Sequence, residues 1–248
     1  MDIESVLDSD DLTHVILIRL ELQAIFADES RRDCSPLQLD ALKSFSDLSL
    51  LALNKLNGGS MHLTLQRSVA RLEGSRLYSY IYMRLDQPKF IDLNQMTDLK
   101  SIVLDTISSP RLEGLIAEQA LRVDHSAQFH LELSRMRLLS DLRASDAAQK
   151  ETVHYVVETD VESGWWDEIT QWYEQEHLPG LASVPGCIVA RRYLNLDAGP
   201  RSLACYDLQS EDVLASPPWL AVRATPWSSK ARPHFVNTKR NVYPRVLL

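Results

Sequence analysis

The feature that most constrains this chain is an order of elements that occurs twice. A polar stretch, Asp141 to Thr152, has no apolar periodicity and reads as a linker. Before it, Thr13 to Leu22 is rich in β-branched and apolar residues and reads as a strand. Ser35-Pro36 then opens a helix, with Ser at the N-cap and Pro at N1, whose apolar positions recur from Leu39 to Leu56 and stop at Gly58-Gly59. Met61 to Leu72 and Arg76 to Leu85 alternate as strands around Glu73-Gly74-Ser75. Asp86 to Asn94 reads as loop, Asn94 to Ala120 as helix interrupted near Pro110, and Gln128 to Leu139 as a strand. The order is β-α-β-β-α-β.

The residues after the linker repeat it. His154 to Thr159 is a strand, and Gly164 to Leu178 a helix ended by Pro179-Gly180. Cys187 to Leu196 and Ser202 to Leu208 form a hairpin around Asp197-Ala198-Gly199-Pro200. Glu211 to Lys230 holds short helical stretches broken by Pro217, Pro218 and Pro226, and His234 to Tyr243 is the last strand. Arg67, Gly74 and Arg76 of the first hairpin fall on Arg192, Gly199 and Arg201 of the second at a constant offset. The expected fold is therefore α+β: two tandem ferredoxin-like βαββαβ units, residues 1–145 and 152–248. Each sheet has helices on one face, and the other face must also be covered. Packing the two sheets face to face, as an intramolecular pseudodimer of the dimeric α/β-barrel type, would cover both. A homodimer is the alternative.

Charge and composition exclude several functions. Residues 1–150 carry 17 basic and 22 acidic side chains and residues 151–248 carry 9 and 12, so neither half has the footprint of a nucleic-acid binder. No apolar run approaches the length of a membrane helix, and the acidic N-terminus is the reverse of a signal peptide; the expectation is a cytoplasmic protein with no membrane partner. Cys34, Cys187 and Cys205 are scattered and form no CxxC pair, so neither a disulfide framework nor a metal site is expected. There is no GxGxxG, no P-loop and no GxSxG. Lys230, Arg232, Lys239, Arg240 and Arg245 form a basic run without an acid; a charged strand edge accounts for it, an anionic-ligand site being the lesser reading.

All five tryptophans, Trp165, Trp166, Trp172, Trp219 and Trp227, lie in the second half. Two cores of similar size would share them, whereas the lining of one aromatic cavity would not. In WWDEITQWYEQEHLPG, helical spacing puts Trp166, Tyr173 and His177 on one face and Trp165, Ile169, Trp172 and Glu176 on its neighbour. His177 reads either as a C-terminal capping histidine or as a general acid/base. His234, at the start of the last strand, is a second catalytic candidate with a solvent-facing alternative. Tyr173, Tyr206 and Tyr243 would orient a hydroxylated ring or simply pack. Arg191 and Arg192 alternate across a strand, and a surface role is the simpler reading for each.

The run Trp172-Tyr173-Glu174-Gln175-Glu176-His177-Leu178-Pro179, followed by Val184-Pro185-Gly186 and Ala190-Arg191-Arg192-Tyr193, resembles the EthD-like branch of the dimeric α/β-barrel superfamily. Leu203 to Leu208, Ser216-Pro217-Pro218-Trp219 and Arg240-Asn241-Val242-Tyr243 extend the resemblance over residues 153–244. The first half lacks the Trp-Tyr-x-x-Glu-His pattern and reads as a diverged copy. The resemblance implies a cofactor-free enzyme of secondary metabolism, a lyase (decarboxylase, dehydratase or cyclase) or a monooxygenase, acting on a small aromatic or polyketide-like substrate. His177 matches the motif position of the cavity histidine. The expected site is therefore His177, Tyr173 and His234 as catalytic groups, with Trp166, Trp172, Tyr206, Trp219, Trp227 and Tyr243 around the substrate and no cofactor. Two alternatives use the same pocket: a carrier of a hydrophobic metabolite, and a haem protein with His177 or His234 as axial ligand.

Overall fold

In the computed structural model, the residues described are 12–26, 63–73, 76–107, 121–123, 130–144 and 150–244. The expected helix from Ser35 to Leu56, the stretch 108–120 and the acidic first ten residues lie outside them. The chain divides into two compact units, Leu12–Arg135 and Met136–Arg245.

The N-terminal unit contains β1 (Thr13–Phe26), β2 (Leu63–Glu73), β3 (Arg76–Lys89), α1 (Leu93–Ile107), β4 (Leu121–Val123) and the start of β5 (His130–Arg143). Its strands run β2-β3-β1-β5, with β4 paired to the end of β1. Counting only the four long strands, that is the 4-1-3-2 order of a ferredoxin-like sheet. Ile16, Ile18, Leu20, Ile81 and Met83 are buried in one cluster with Met96, Leu99 and Val103 of α1. Asp92 and Gln95 cap α1 reciprocally: the Gln95 amide donates to Asp92 Oδ1 at 2.8 Å and the Asp92 amide to Gln95 Oε1 at 3.0 Å. Strand β3 runs through Lys89 and so takes in part of the expected loop from Asp86, because Thr13 of β1 still pairs with Lys89.

The C-terminal unit repeats the order. It comprises β6 (Val153–Val161), α2 (Trp166–Trp172), a π-helical turn (Tyr173–His177), α3 (Leu178–Ala182), β7 (Cys187–Asn195), β8 (Ser202–Leu208), α4 (Pro217–Arg223), α5 (Pro226–Ala231) and β9 (Phe235–Pro244). Short 3₁₀ turns precede α4 and β9. The strand order β7-β8-β6-β9 is again 4-1-3-2 read from the other end, and every pairing is antiparallel. The expected fold class, α+β with tandem ferredoxin-like units, is the one observed. Among the described residues no helix is long and apolar enough to cross a membrane.

Three sequence readings need correction. Strand β5 does not stop at Leu139: Ser140 to Arg143, the start of the supposed linker, pair with Arg192 to Val189 of β7. Polarity alone suggested a linker, but Asp141 gains an ion pair with Arg191 at 3.1 Å across that ladder. β7 then lies between β5 and β8 with neither edge free, and Arg191 and Arg192, on its opposite faces, are both buried, not surface residues. Third, Pro179-Gly180 does not end the helix. The Leu178 amide bonds to the Tyr173 carbonyl, five residues back, so the wider turn absorbs the missing N–H and the ring of Pro179 before α3 resumes.

Candidate functional site

The site grows from that π-turn. An α-helix stacks positions i and i+4, whereas the wider turn brings i and i+5 together. The Trp172 indole lies 4.1 Å from the His177 imidazole, 22° from parallel. Tyr173 meets His177 edge-on at 5.5 Å and Phe235 face-on at 6.2 Å. The two faces read from regular spacing are thus merged, and Trp172, Tyr173 and His177 all line one cavity between this helix and the sheet. The sheet supplies Tyr155 and Val157 of β6, Tyr206 of β8 and Arg240 of β9. Trp219 of α4 closes one side and packs edge-on against Tyr206 at 5.3 Å. The free space within it is about 30 Å³, room for roughly one or two water-sized groups.

Arg223, Arg232 and Arg240 also line it, and among the described residues no acid does. Burial and two of these arginines set the state of His177. Loss of water contact, then the charge of Arg232, then that of Arg223 lower its pKa from 6.5 to about 3, so the ring is neutral at pH 7. Its Nδ1 is buried without a hydrogen-bond partner, as is Trp172 Nε1. Tyr173 is pushed up to about 12, chiefly by burial, and stays a phenol. Beneath it lies Arg192, wholly buried: its guanidinium carbon is 4.5 Å from the Tyr173 ring centre and 5.3 Å from that of Trp166. Burial lowers Arg192 to about 10, leaving it a cation held by two aromatic faces and by Thr170 at 3.4 Å and Ser202 at 3.5 Å. The faces of Tyr173 and Trp166 are therefore fixed from below.

The structure brings together His177, Tyr173, Trp172, Tyr206 and Trp219, but not the other sequence candidates. Trp166 is a support under Arg192. Trp227 donates from Nε1 to Glu168 at 2.9 Å, outside the cavity. His234 stacks on Trp165 at 3.3 Å and donates from Nδ1 to Glu162 at 2.6 Å. Tyr243 is buried on the other side of the sheet, since its neighbour Val242 is the one paired with cavity-facing Tyr155. Sequence reasoning missed Tyr155, Phe235 and Arg223, and for Arg232 and Arg240, in the acid-free run after Lys230, it held an anionic-ligand site only as the lesser reading.

On the sheet face away from the cavity, His154 donates to Asp207 at 2.7 Å, and Asp207 also accepts from Arg191 at 3.1 Å, all three buried. Among the described residues no cluster of three or more metal-ligating side chains occurs. The cavity does not fit a haem: its free space is about 30 Å³ and is bounded by the buried rings of Trp172, Trp219 and Tyr206.

In sequence, no protein-family model and no curated protein matches the chain. In structure it is similar to a protein from Fusobacterium nucleatum subsp. nucleatum ATCC 25586 described as a "putative monooxygenase", with TM-score 0.51, 9% identity and 95% and 94% of the two chains covered. A protein of the same description from Lactobacillus acidophilus NCFM matches at TM-score 0.49 and 11% identity, covering 94% and 95%. An anthrone oxidase-like protein matches at TM-score 0.48 and 15% identity, covering 96% and 93%. The first of these likenesses shows a shared fold across nearly the whole chain; at such identity it shows nothing of substrate.

Proposed function

We propose that the chain is a cofactor-independent enzyme of the EthD-like type that acts on a small aromatic or polyketide-like compound, with His177 as general base. The observation that carries this reading is a neutral, buried imidazole with an unpaired nitrogen, held between Trp172 and Tyr173 at the base of a cavity. Histidines that serve only to cap a helix are charged and face the last carbonyls; this one is neither charged nor bonded to a carbonyl.

Its protonation state also narrows the reaction. A histidine with a pKa near 3 has no proton to give at neutral pH. The neutral imidazole is the form that can take up a proton. It favours a step that starts with a proton leaving the substrate, as in dehydration or an aldol-like ring closure. His177 takes the proton from a carbon beside a carbonyl, and the electron pair moves onto the carbonyl oxygen. In a dehydration the pair then returns and the hydroxyl leaves from the next carbon as water, taking the proton from the His177 imidazolium. In a ring closure the pair attacks a second carbonyl carbon, whose oxygen takes the proton back from the His177 imidazolium.

A cavity with about 30 Å³ of free space admits only the reacting end of such a molecule. The ring sits in the mouth, among the half-buried side chains of Arg223 and Arg232 and the exposed one of Arg240. Trp172 and Trp219 report its arrival. Titrating the protein with hydroxylated anthraquinones and resorcylic acids should quench tryptophan fluorescence saturably and identify a compound to incubate. Replacing His177 by Ala should then lower turnover by about 10²–10⁴-fold with binding retained. Turnover within about tenfold of wild type would remove the base role, and binding without any product would make the protein a carrier.

A further inference from the structure

The cation cluster at the mouth is the part of the cavity that the proton transfer does not use. Arg223 ends α4, Arg232 lies in the 3₁₀ turn before β9, and Arg240 is on β9. They are far apart in sequence or on different elements, yet all three line one cavity. Among the described residues none of them has a carboxylate partner. The nearby acids are engaged elsewhere: Glu176 accepts from Thr225 at 2.6 Å, Glu168 from Trp227 and Lys230, and Glu162 from His234. Arg232 is held in place by donating to the backbone carbonyl of Arg223 at 3.2 Å.

Unpaired like charges that converge on one cavity repel one another, and an anion entering between them relieves that repulsion. The chain as a whole carries −8, so positive charge here is a local exception and not a general property of its surface. We infer that Arg223, Arg232 and Arg240 form an anion subsite, and that the substrate is an aromatic or ring-forming acid. Its carboxylate lies among the guanidinium groups while the carbon that loses the proton faces His177. This rests on the aromatic-substrate reading above and names the class of that substrate. It also couples binding to the chemistry. Burial first, and then the charges of Arg232 and Arg223, lower the pKa of His177, and a bound anion offsets the two charges. The imidazole becomes a stronger base only when an acid of the right kind is in place, so a neutral analogue would meet a poor base.

The test compares 2,4-dihydroxybenzoate with 2,4-dihydroxybenzamide, which have the same ring and hydroxyl groups and differ in charge, by tryptophan fluorescence of the full chain. The expected result is that the benzoate binds at least about tenfold more tightly, as charge-assisted hydrogen bonds are stronger than neutral ones. Raising the salt concentration should weaken the benzoate and leave the benzamide unchanged. Arg232→Gln and Arg240→Gln should each shrink the benzoate preference without altering benzamide binding; Arg240 is exposed, so its variant keeps the test valid should Arg232→Gln fail to fold. Equal affinities, or a preference untouched by both substitutions, would overturn the anion subsite and leave the aromatic pocket standing. If neither compound binds, both readings fall.

Discussion

Acidification tests the environment of His177 without a substrate. In the folded protein its pKa is about 3, against 6.5 for an unperturbed imidazole. Between those values the unfolded chain binds a proton at this position and the folded chain does not. Stability is therefore complete above pH 6.5 and falls as the pH drops towards 3. The slope for one proton is about 1.4 kcal/mol per pH unit, so moving from pH 7 to pH 5 removes about 2 kcal/mol. Other groups also titrate in that range, and the comparison must be made against a variant. Urea unfolding of wild type and His177→Leu, each at pH 7 and pH 5, isolates the effect. Tryptophan emission is the right signal, since every tryptophan lies between Trp165 and Trp227 and reports the C-terminal unit alone. The wild type should lose about 2 kcal/mol more than the variant. Equal losses would mean that His177 titrates normally, and the neutral-base argument would fail with it.

Two further substitutions probe the frame around the site. Asp207→Ala leaves buried Arg191 and His154 without their shared carboxylate and should cost about 3–5 kcal/mol in the same urea assay; a loss below about 1 kcal/mol would show that the group is solvated. Gly164 and Gly186 both have left-handed backbone, with φ of 82° and 88°, but a Cβ at Gly164 meets nothing while one at Gly186 falls 2.6 Å from Val213 Cγ2. Alanine at Gly164 should cost about 1 kcal/mol and alanine at Gly186 clearly more, through added crowding; equal costs would mean that Val213 moves aside freely.

Much of the architecture was legible before any coordinates. The apolar and β-branched runs Thr13 to Leu22, His154 to Thr159 and Ser202 to Leu208 are local signals of strand, because a short apolar run reflects what is buried. The repeated order then leaves few topologies, and both halves adopt the 4-1-3-2 sheet. The WYEQEHLP segment pointed to His177 and Tyr173 because aromatic and titratable residues share a helix there. Chain ends of elements were less legible. Polar Asp141 and Arg143 belong to β5 only because Arg191 and Val189 stand opposite them, and a partner distant in sequence leaves no local mark.

The sequence by itself determined the fold class, the tandem arrangement, the asymmetry of the tryptophans and the acid-free basic run near the C-terminus. These depend on residue type and spacing alone. Only the tertiary structure decided which of those residues meet. Pro179 and the π-turn before it carry Trp172 onto His177, a contact that regular helical spacing does not produce. Antiparallel pairing puts Val242 on the cavity side and Tyr243 on the other, and it carries Arg240 back beside Arg223 and Arg232. The charge state of His177 follows from that convergence, because burial and Coulomb forces depend on distance through space and not along the chain.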